Sequence, residues 1–176
     1  MTRLRCALTS LLASLAAATS LAAQADVRSV ADSGFRAFLV EFEAAERQML
    51  NGSPEAWLAL VSRHEPVTVL GPFGGHERTR AGAEERFRWA ASRLAPSDAA
   101  LAVEYLAWGV SGDLAYTVVL ERSRIRTAGQ DSSRAGFSRA TYVFRREAGA
   151  WRLAHRHGDH LPERFTPPGA APAPSR

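Results

Sequence analysis

The last hairpin of the chain constrains its fold more than any other stretch. The run WRLAHRHGDH begins at Trp151, follows a tight turn containing Gly149, and can pair back on the preceding run FSRATYVFRR. Glycine supplies the backbone conformation that so short a turn needs, so a β-hairpin is predicted. Successive side chains of a strand alternate between its two faces. One face is then predicted to hold, in order, Trp151, Leu153, His155 and His157. Because two apolar residues precede two histidines, this face is predicted to lie in the core at its start and to reach an opening of the fold at its end.

The segments before this hairpin predict three helices and further strands. The first helix is indicated by apolar residues at three- and four-residue spacing, namely Phe35, Phe38, Leu39, Phe42, Ala45 and Met49. Asn51-Gly52 is predicted to end it. A short second helix, a strand running into a glycine-rich bend at 66–75, and a third helix over 79–94 follow. The stretch 99–126 then predicts a β-meander. Helices followed by antiparallel strands indicate an α+β fold, with the helices packed on one face of a curved sheet.

Both ends of the chain differ in composition from its middle. Residues 1–25 begin with Arg3 and Arg5, continue with an alanine-rich apolar stretch, and end in Ala-Gln-Ala, which is typical of a cleaved signal peptide. We therefore expect a periplasmic or secreted protein with no membrane anchor after cleavage. Residues 162–176 are rich in proline and alanine and predict a disordered tail. The folded domain is predicted over 33–161.

Residue usage excludes several classes of chemistry. The one cysteine, Cys6, lies in the predicted signal peptide, so the mature chain would have no disulfide, cysteine nucleophile or thiolate metal site. Every basic residue is arginine, which excludes lysine Schiff-base chemistry. The formal charge is +4, but the arginines are scattered rather than gathered in a basic stripe. Nucleic acid is therefore not an expected partner.

The order of elements, the Gly-Pro-Phe-Gly-Gly bend at 71–75 and the terminal Trp-x-Leu-x-His-x-His strand carry a family resemblance. Together they resemble a SnoaL-like domain of the nuclear transport factor 2-like superfamily, over almost the whole predicted mature chain. The resemblance implies a bent sheet wrapped around a helix as a cone, often with an internal ligand pocket. Such cones serve as isomerases, cyclases, hydrolases and dehydratases, and also as binding or assembly modules, so the fold alone indicates no single reaction.

Polar residues of the terminal strand are the candidate catalytic groups. His155 or His157 could act as a general base or hydrogen-bond donor, because imidazole titrates near neutral pH, and Asp159 could orient one of them. A structural role for the pair is the alternative. We expect Glu121 and Glu104 to be surface carboxylates. Candidate ligand-binding residues are His76 in the bend, Arg139, and the aromatic residues Tyr116, Tyr142 and Trp108.

The run His155 to His160 also spells H-x-H-x-D-H, a dinuclear zinc motif of metallo-β-lactamase-like hydrolases. Those enzymes need further ligands well downstream, and only sixteen residues follow His160 here. A single ion held by His155, His157 and either His76 or Asp159 is geometrically conceivable. The prediction is a site without metal, and a protein without a cofactor.

Two functional hypotheses follow. In the first, the protein is a cofactor-free acid–base enzyme acting on a small, largely apolar molecule. In the second, it is a non-catalytic binding or scaffolding module. Strand 114–126 has apolar residues on both faces, with Val119 and Ala115 opposite Tyr116 and Val118. A sheet that is apolar on both faces usually has a partner, so a homodimer is expected.

Overall fold

The computed structural model describes residues 33–71 and 74–160. Its elements are α1 (33–50), α2 (Glu55–Ala59), β1 (Thr68–Leu70), α3 (Arg80–Ser92), β2 (Leu94–Ser111), β3 (Leu114–Thr127), β4 (Arg134–Glu147) and β5 (Ala150–Asp159). The predicted signal peptide and tail lie outside the described residues. The predicted α+β fold is confirmed.

Helix α1 is built as its apolar spacing predicts. Its inward face is buried and consists of Phe35, Phe38, Leu39, Phe42 and Ala45. Gly52 follows the end of the helix, and its φ of 85° is the left-handed conformation that glycine adopts readily at a helix C-terminus. The backbone N–H of Gly52 donates to the carbonyl of Met49 at 2.9 Å, and that of Ser53 donates to Gln48 at 3.0 Å. These bonds satisfy carbonyls that the last helical turn leaves free.

The five strands form one curled mixed sheet in the order β1-β5-β4-β3-β2. Strand β1 runs parallel to β5, and the other neighbours are antiparallel. The predicted hairpin is present, with Ala148 (φ 47°) and Gly149 (φ 84°) between the paired residues Glu147 and Ala150. Two consecutive positive φ angles are typical of a two-residue type I′ turn.

Aromatic rings fill the space between α1 and the sheet. Phe144 on β4 is fully buried, and its ring centroid lies 5.5 Å from Phe35, 5.2 Å from Phe38 and 5.0 Å from Phe42. Trp151 on β5 extends the cluster, with its ring 5.2 Å from Phe35. These edge-to-face contacts fix the helix against the sheet. The core therefore occupies most of the interior of the curled sheet.

A β-bulge in β5 changes which of its residues face this core. Phe144 pairs with Leu153, whereas Val143 pairs with His155, so Ala154 is an extra residue in the ladder. One extra residue shifts the alternation of side chains by one position. After the bulge, Arg156 faces inward and the two histidines face the other side. The prediction that His155 and His157 share the face of Trp151 and Leu153 is therefore wrong.

Strand β3 buries one of its two apolar faces. The inward set is Ala115, Thr117, Val119 and Glu121, all at most 5% exposed. The opposite set includes Leu114 and Tyr116, which are 57% and 45% exposed. Glu121 is thus an interior carboxylate, and the prediction that it lies at the surface is wrong. Because both faces of β3 carry apolar side chains, the sequence did not show which of the two faces α1 would cover.

Candidate functional site

A cleft lies between α1 and the inner face of β2, β3 and β4. The space that it encloses is about 10 Å³, enough for roughly one water molecule, and it opens to solvent at its mouth. Its lining is Leu39, Phe42, Glu43, Glu46, Val103, Tyr105, Thr117, Val119, Glu121 and Tyr142. Among the four α1 residues, each has others three or four positions away, which places them on one side of the helix.

Glu46 is the buried carboxyl group that α1 brings into the cleft. It is 8% exposed, although it follows Phe42 by one helical turn on a face that is otherwise apolar. Burial raises the pKa of its carboxyl well above the ordinary value, and the negative charge of Glu121 raises it further. Arg156 acts in the opposite direction without reversing the shift. The Glu46 carboxyl is therefore suited to carry a proton at a pH where an ordinary glutamate is ionised.

Tyr142 and Glu121 form a short, buried hydrogen bond in the cleft. The Tyr142 hydroxyl donates to Glu121 Oε1 at 2.5 Å, and both residues are at most 5% exposed. Burial raises the pKa of Tyr142, and the nearby charges of Glu121 and Glu46 raise it further. Tyr142 thus keeps its proton and acts as a donor to Glu121.

Arg156 supplies the positive charge of the cluster. Its Nε lies 3.4 Å from the Tyr142 hydroxyl and its Nη2 lies 3.8 Å from Glu121 Oε2. The strand register sets Arg156 opposite Tyr142. Gly158 leaves room for the guanidinium, because a Cβ there would lie 2.6 Å from Arg156 Nη1. Burial lowers the pKa of Arg156, but Tyr142 and Glu121 outweigh burial and the net shift is upward.

A second tyrosine–carboxylate pair stands at the rim of the cleft. The Tyr105 hydroxyl on β2 donates to Glu43 Oε1 on α1 at 2.7 Å. Partial burial raises the pKa of Tyr105, as does its hydrogen bond to Glu43. This pair ties α1 to β2. The cleft and its rim therefore hold three carboxyl groups and two phenols, with Arg156 beside Tyr142 and Glu121 and Arg47 3.8 Å from Glu43. This set can accept and donate protons.

The structure places the predicted histidines away from this cleft. Thr68 Oγ1 and His155 Nδ1 share a hydrogen bond of 2.7 Å beside β1, and His157 is exposed. Burial lowers the pKa of His155, and the charge of His157 lowers it further. His76 is also exposed. A catalytic or ligand-binding role for these three residues stays a prediction, and none of them lines the cleft.

The other predicted site residues divide between the two faces of the sheet. Tyr142 lines the cleft, whereas Trp108 packs on Phe35 with ring centroids 6.1 Å apart. Tyr116 lies on the outer face. Arg139 is exposed and forms a two-pronged ion pair with Asp159, with Nε–Oδ1 and Nη2–Oδ2 distances of 2.8 Å each. Arg139 and Asp159 are thus paired with each other at the surface.

Sequence reasoning missed Glu46, Glu121 and Arg156. A signal for Glu46 was present, because it continues the helical spacing of Leu39 and Phe42. Glu121 continues an alternating apolar series on β3. No sequence signal marked Arg156, since the bulge that turns it inward leaves no pattern in the residues.

Within residues 33–71 and 74–160, no group of three or more histidine, cysteine, aspartate or glutamate residues could hold a metal ion. None of its helices is long and apolar enough to cross a membrane.

Comparison with solved structures defines the class of fold. A proposed dehydratase of the NTF2-like family from Streptomyces avermitilis is 16% identical, with a TM-score of 0.62, covering 74% of this chain and 98% of that one. A ketosteroid isomerase-like protein from Erwinia carotovora atroseptica is 14% identical, with a TM-score of 0.56, covering 71% and 97%. A proposed calcium/calmodulin-dependent protein kinase type II association domain from Thiobacillus denitrificans is 24% identical, with a TM-score of 0.54, covering 69% and 90%. The fold is thus NTF2-like.

The family follows from the sequence match. Residues 68–159, just over half of the chain, match the SnoaL-like domain family. The protein belongs to this family, as the terminal strand and the order of elements predicted. Among curated proteins, no match was found.

Proposed function

We propose that this protein is an exported small-molecule-binding domain whose cleft between α1 and the sheet supports acid–base chemistry without a cofactor. The observation that carries the proposal is that Glu46, Tyr142 and Glu121 are buried around a cleft that the aromatic packing leaves open, with the Arg156 guanidinium beside Tyr142 and Glu121. Perturbed ionisable groups in a cleft are characteristic of functional sites.

The energetics of burial support a functional origin for this set. Burying charged groups costs several kcal/mol per ion before partners compensate, and well-packed apolar residues would often stabilise the same space as well or better. Packing alone does not require two carboxyl groups, those of Glu46 and Glu121, around the Tyr142 hydroxyl. The cluster is therefore better explained by a ligand than by stability.

The residues can be given distinct roles. Glu46 holds the exchangeable proton, as donor when protonated and as base when ionised. Tyr142 orients a bound molecule and connects Glu46 with Glu121. Arg156 is a positioning residue that balances the charge of Glu121. The predicted catalytic role of His155, His157 and Asp159 is not part of this proposal, because these residues face away from the cleft.

Two solved relatives of the fold agree with acid–base chemistry in general terms. One is called a proposed dehydratase and the other a ketosteroid isomerase-like protein. Both names describe proton-transfer reactions on small molecules, but at 14–16% identity the likeness shows the fold alone. Export is proposed from residues 1–25, whose charge and apolar pattern are typical of a signal peptide.

The outer face of the sheet favours a second candidate function, that of a dimeric scaffolding module. Leu106, Leu114 and Tyr116 are 51%, 57% and 45% exposed there. Exposed apolar patches of this kind mark association surfaces. One relative of the fold is named as an association domain. Dimerisation through this face would leave the cleft on the opposite face accessible, so the two functions are compatible.

Paired tyrosine variants test the proposed cleft. A thermal-shift screen of small apolar compounds with one polar group is run on the wild type, on Tyr142→Phe and on the outer-face control Tyr116→Phe. We expect compounds that stabilise the wild type and Tyr116→Phe to stabilise Tyr142→Phe much less. Equal stabilisation of both variants by every hit would show that ligands bind elsewhere and would overturn the proposal.

A further inference from the structure

Three arginines form a row on the outer face of the sheet, beyond its exposed apolar residues. They are Arg122, Arg124 and Arg126, which occupy every second position near the end of β3. Side chains two residues apart on a strand share a face, and their Cα atoms follow at steps of about 7 Å. The buried Glu121 lies on the opposite face. Alternation along one strand therefore gathers three positive charges, which we call the arginine row.

Among the side chains that the structure describes, a carboxylate neutralises the first arginine of this row and neither of the others. Arg122 Nη1 lies 2.9 Å from Glu104 Oε2. Arg126 donates through Nη2 to the Pro96 carbonyl, and its Nε is buried with no hydrogen-bond partner in the described part of the chain. Arg124 is exposed, and none of the described carboxyl groups lies in ion-pair contact with it. The row thus keeps an excess of positive charge.

The surface beside the row consists of small apolar side chains. The strand register sets Arg124 between Ala100 on β2 and Ala135 on β4, and it sets Ala102 beside Arg122. All three alanines are exposed. Methyl groups neither donate nor accept hydrogen bonds, so the guanidinium groups supply the recognition at this surface. Because alanine is much shorter than arginine, the guanidinium groups also remain accessible from both sides.

We infer that the arginine row binds a linear chain of phosphate groups of the polyphosphate type. A guanidinium group pairs with phosphate oxygens through two parallel N–H donors, and a row of such groups matches a row of anions. The site lies on the face of the sheet opposite the cleft. It is therefore a second site, and its existence does not depend on the proposed function.

The surroundings of the row favour a bare phosphate chain over other polyanions. Proteins that bind single-stranded nucleic acids stack the bases on aromatic side chains. The aromatic ring beside the row is that of Phe137, and the Arg122 Cζ already lies 5.7 Å from its centroid. Sulfated sugars carry hydroxyl groups that need hydrogen-bonding partners, which the three alanines do not provide. A ligand recognised through its charges alone meets neither difficulty.

The number of simultaneous contacts should determine the affinity. One exposed ion pair contributes little to binding, so inorganic phosphate should bind weakly. A chain that reaches several guanidinium groups makes its later contacts within the same complex, which raises their effective concentration. Ion pairing with a polyanion also releases counterions, so the affinity should fall as the salt concentration rises.

Amide NMR titrations of the whole protein test the assignment. Linear polyphosphate, inorganic phosphate and a single-stranded thymidine oligonucleotide are compared at the same concentration of phosphate groups and at equal ionic strength. We expect polyphosphate to bind at least about tenfold more tightly than either of the others. The largest shifts should fall on Ala100, Ala102 and Ala135, which flank the row.

Two arginine variants separate the row from general charge attraction. Arg124→Gln and Arg88→Gln each remove one exposed positive charge, and Arg88 lies on α3, 3.8 Å from Glu55. We expect Arg124→Gln to weaken polyphosphate binding about fivefold or more and to reduce the slope of log affinity against log salt by about one. Arg88→Gln should change the affinity by less than about twofold.

Four results would overturn the assignment. They are polyphosphate binding no tighter than that of inorganic phosphate, equal or tighter binding of the oligonucleotide, equal weakening in the two variants, and shifts that are largest away from the three alanines. Equal weakening would show that net charge alone attracts the polyanion. If Arg124→Gln does not fold, the wild-type shifts decide the matter, because their position does not depend on any variant.

Discussion

Replacing Glu46 by glutamine should change how the stability of the protein depends on pH. The folded-state pKa of Glu46 is raised, with burial as the main cause. Between the pKa of the unfolded chain and that of the folded protein, the folded protein keeps a proton that the unfolded chain releases. The stabilising effect of this proton is complete below the unfolded pKa, which is about 4.3, and is lost as the pH rises through the folded pKa.

The size of the effect follows from this proton difference. For one titrating group, this difference lowers the free energy of unfolding of the wild type by up to about 1.4 kcal/mol for each pH unit between the unfolded and the folded pKa. Glutamine has the shape of a protonated glutamate and does not titrate. At low pH the variant should therefore match the wild type within about 0.5 kcal/mol, as most tolerated substitutions do. As the pH rises, it should become progressively the more stable of the two.

Urea unfolding of both proteins between pH 4 and about pH 8, followed by far-UV circular dichroism, measures this difference. Glu104→Gln is the matched control, because Glu104 is exposed and paired with Arg122 across two strands at 2.9 Å. The control curve should run parallel to that of the wild type. If the Glu46→Gln curve is also parallel to it, Glu46 is not a buried proton site and the account of the cleft is wrong.

Three further outcomes are expected. Trp151→Ala should lower the free energy of unfolding by about 3–5 kcal/mol, because it empties a core site against Phe35. His157 is exposed, so His157→Ala should change the free energy of unfolding by less than about 1 kcal/mol. Urea unfolding measures both changes. Light scattering at tens of micromolar should give twice the chain mass for the wild type, and one chain mass for Leu114→Arg, which places a charge on the outer face. Mass spectrometry of protein from a periplasmic or culture fraction should show a chain that starts near Asp26, and an intact Met1 form held in membranes would contradict export.

The sequence was sufficient to predict the elements whose signals are local. The spacing of Phe35, Phe38 and Phe42 predicted α1, and Gly149 predicted the turn of the last hairpin. The spacing of apolar residues and the residue types of a turn depend only on residues close in sequence, so both signals are recognisable without knowledge of the rest of the fold. The resemblance of the terminal strand then gave the arrangement of the elements.

The site was harder to predict, because the pairing of each strand with its neighbours decides which of its side chains face inward. The extra residue Ala154 exists only in the register of β5 against β4, and it moves Arg156 inward and His155 outward. A similar irregularity between Tyr105 and Ala107 shifts the faces of β2. Alternation counted along a strand fails at each such point.

Glu46 illustrates a different limit. A glutamate on an amphipathic helix is usually solvated, and a single charge at an apolar position does not show that the helix will bury it. Only the packing of α1 against β3 and β4, where Glu121 and Tyr142 face it, distinguishes a buried acid from a surface one.

Mapping of amide NMR shifts with the best stabilising compound tests most directly which part of the protein binds a ligand. The account predicts that the largest shifts fall on the inner strand positions Val103, Thr117 and Val119, and that they are lost in Tyr142→Phe. If the largest shifts fall instead on Thr68, His155 and His157, the ligand binds at the histidine edge of the sheet. That result would contradict the cleft as the functional site.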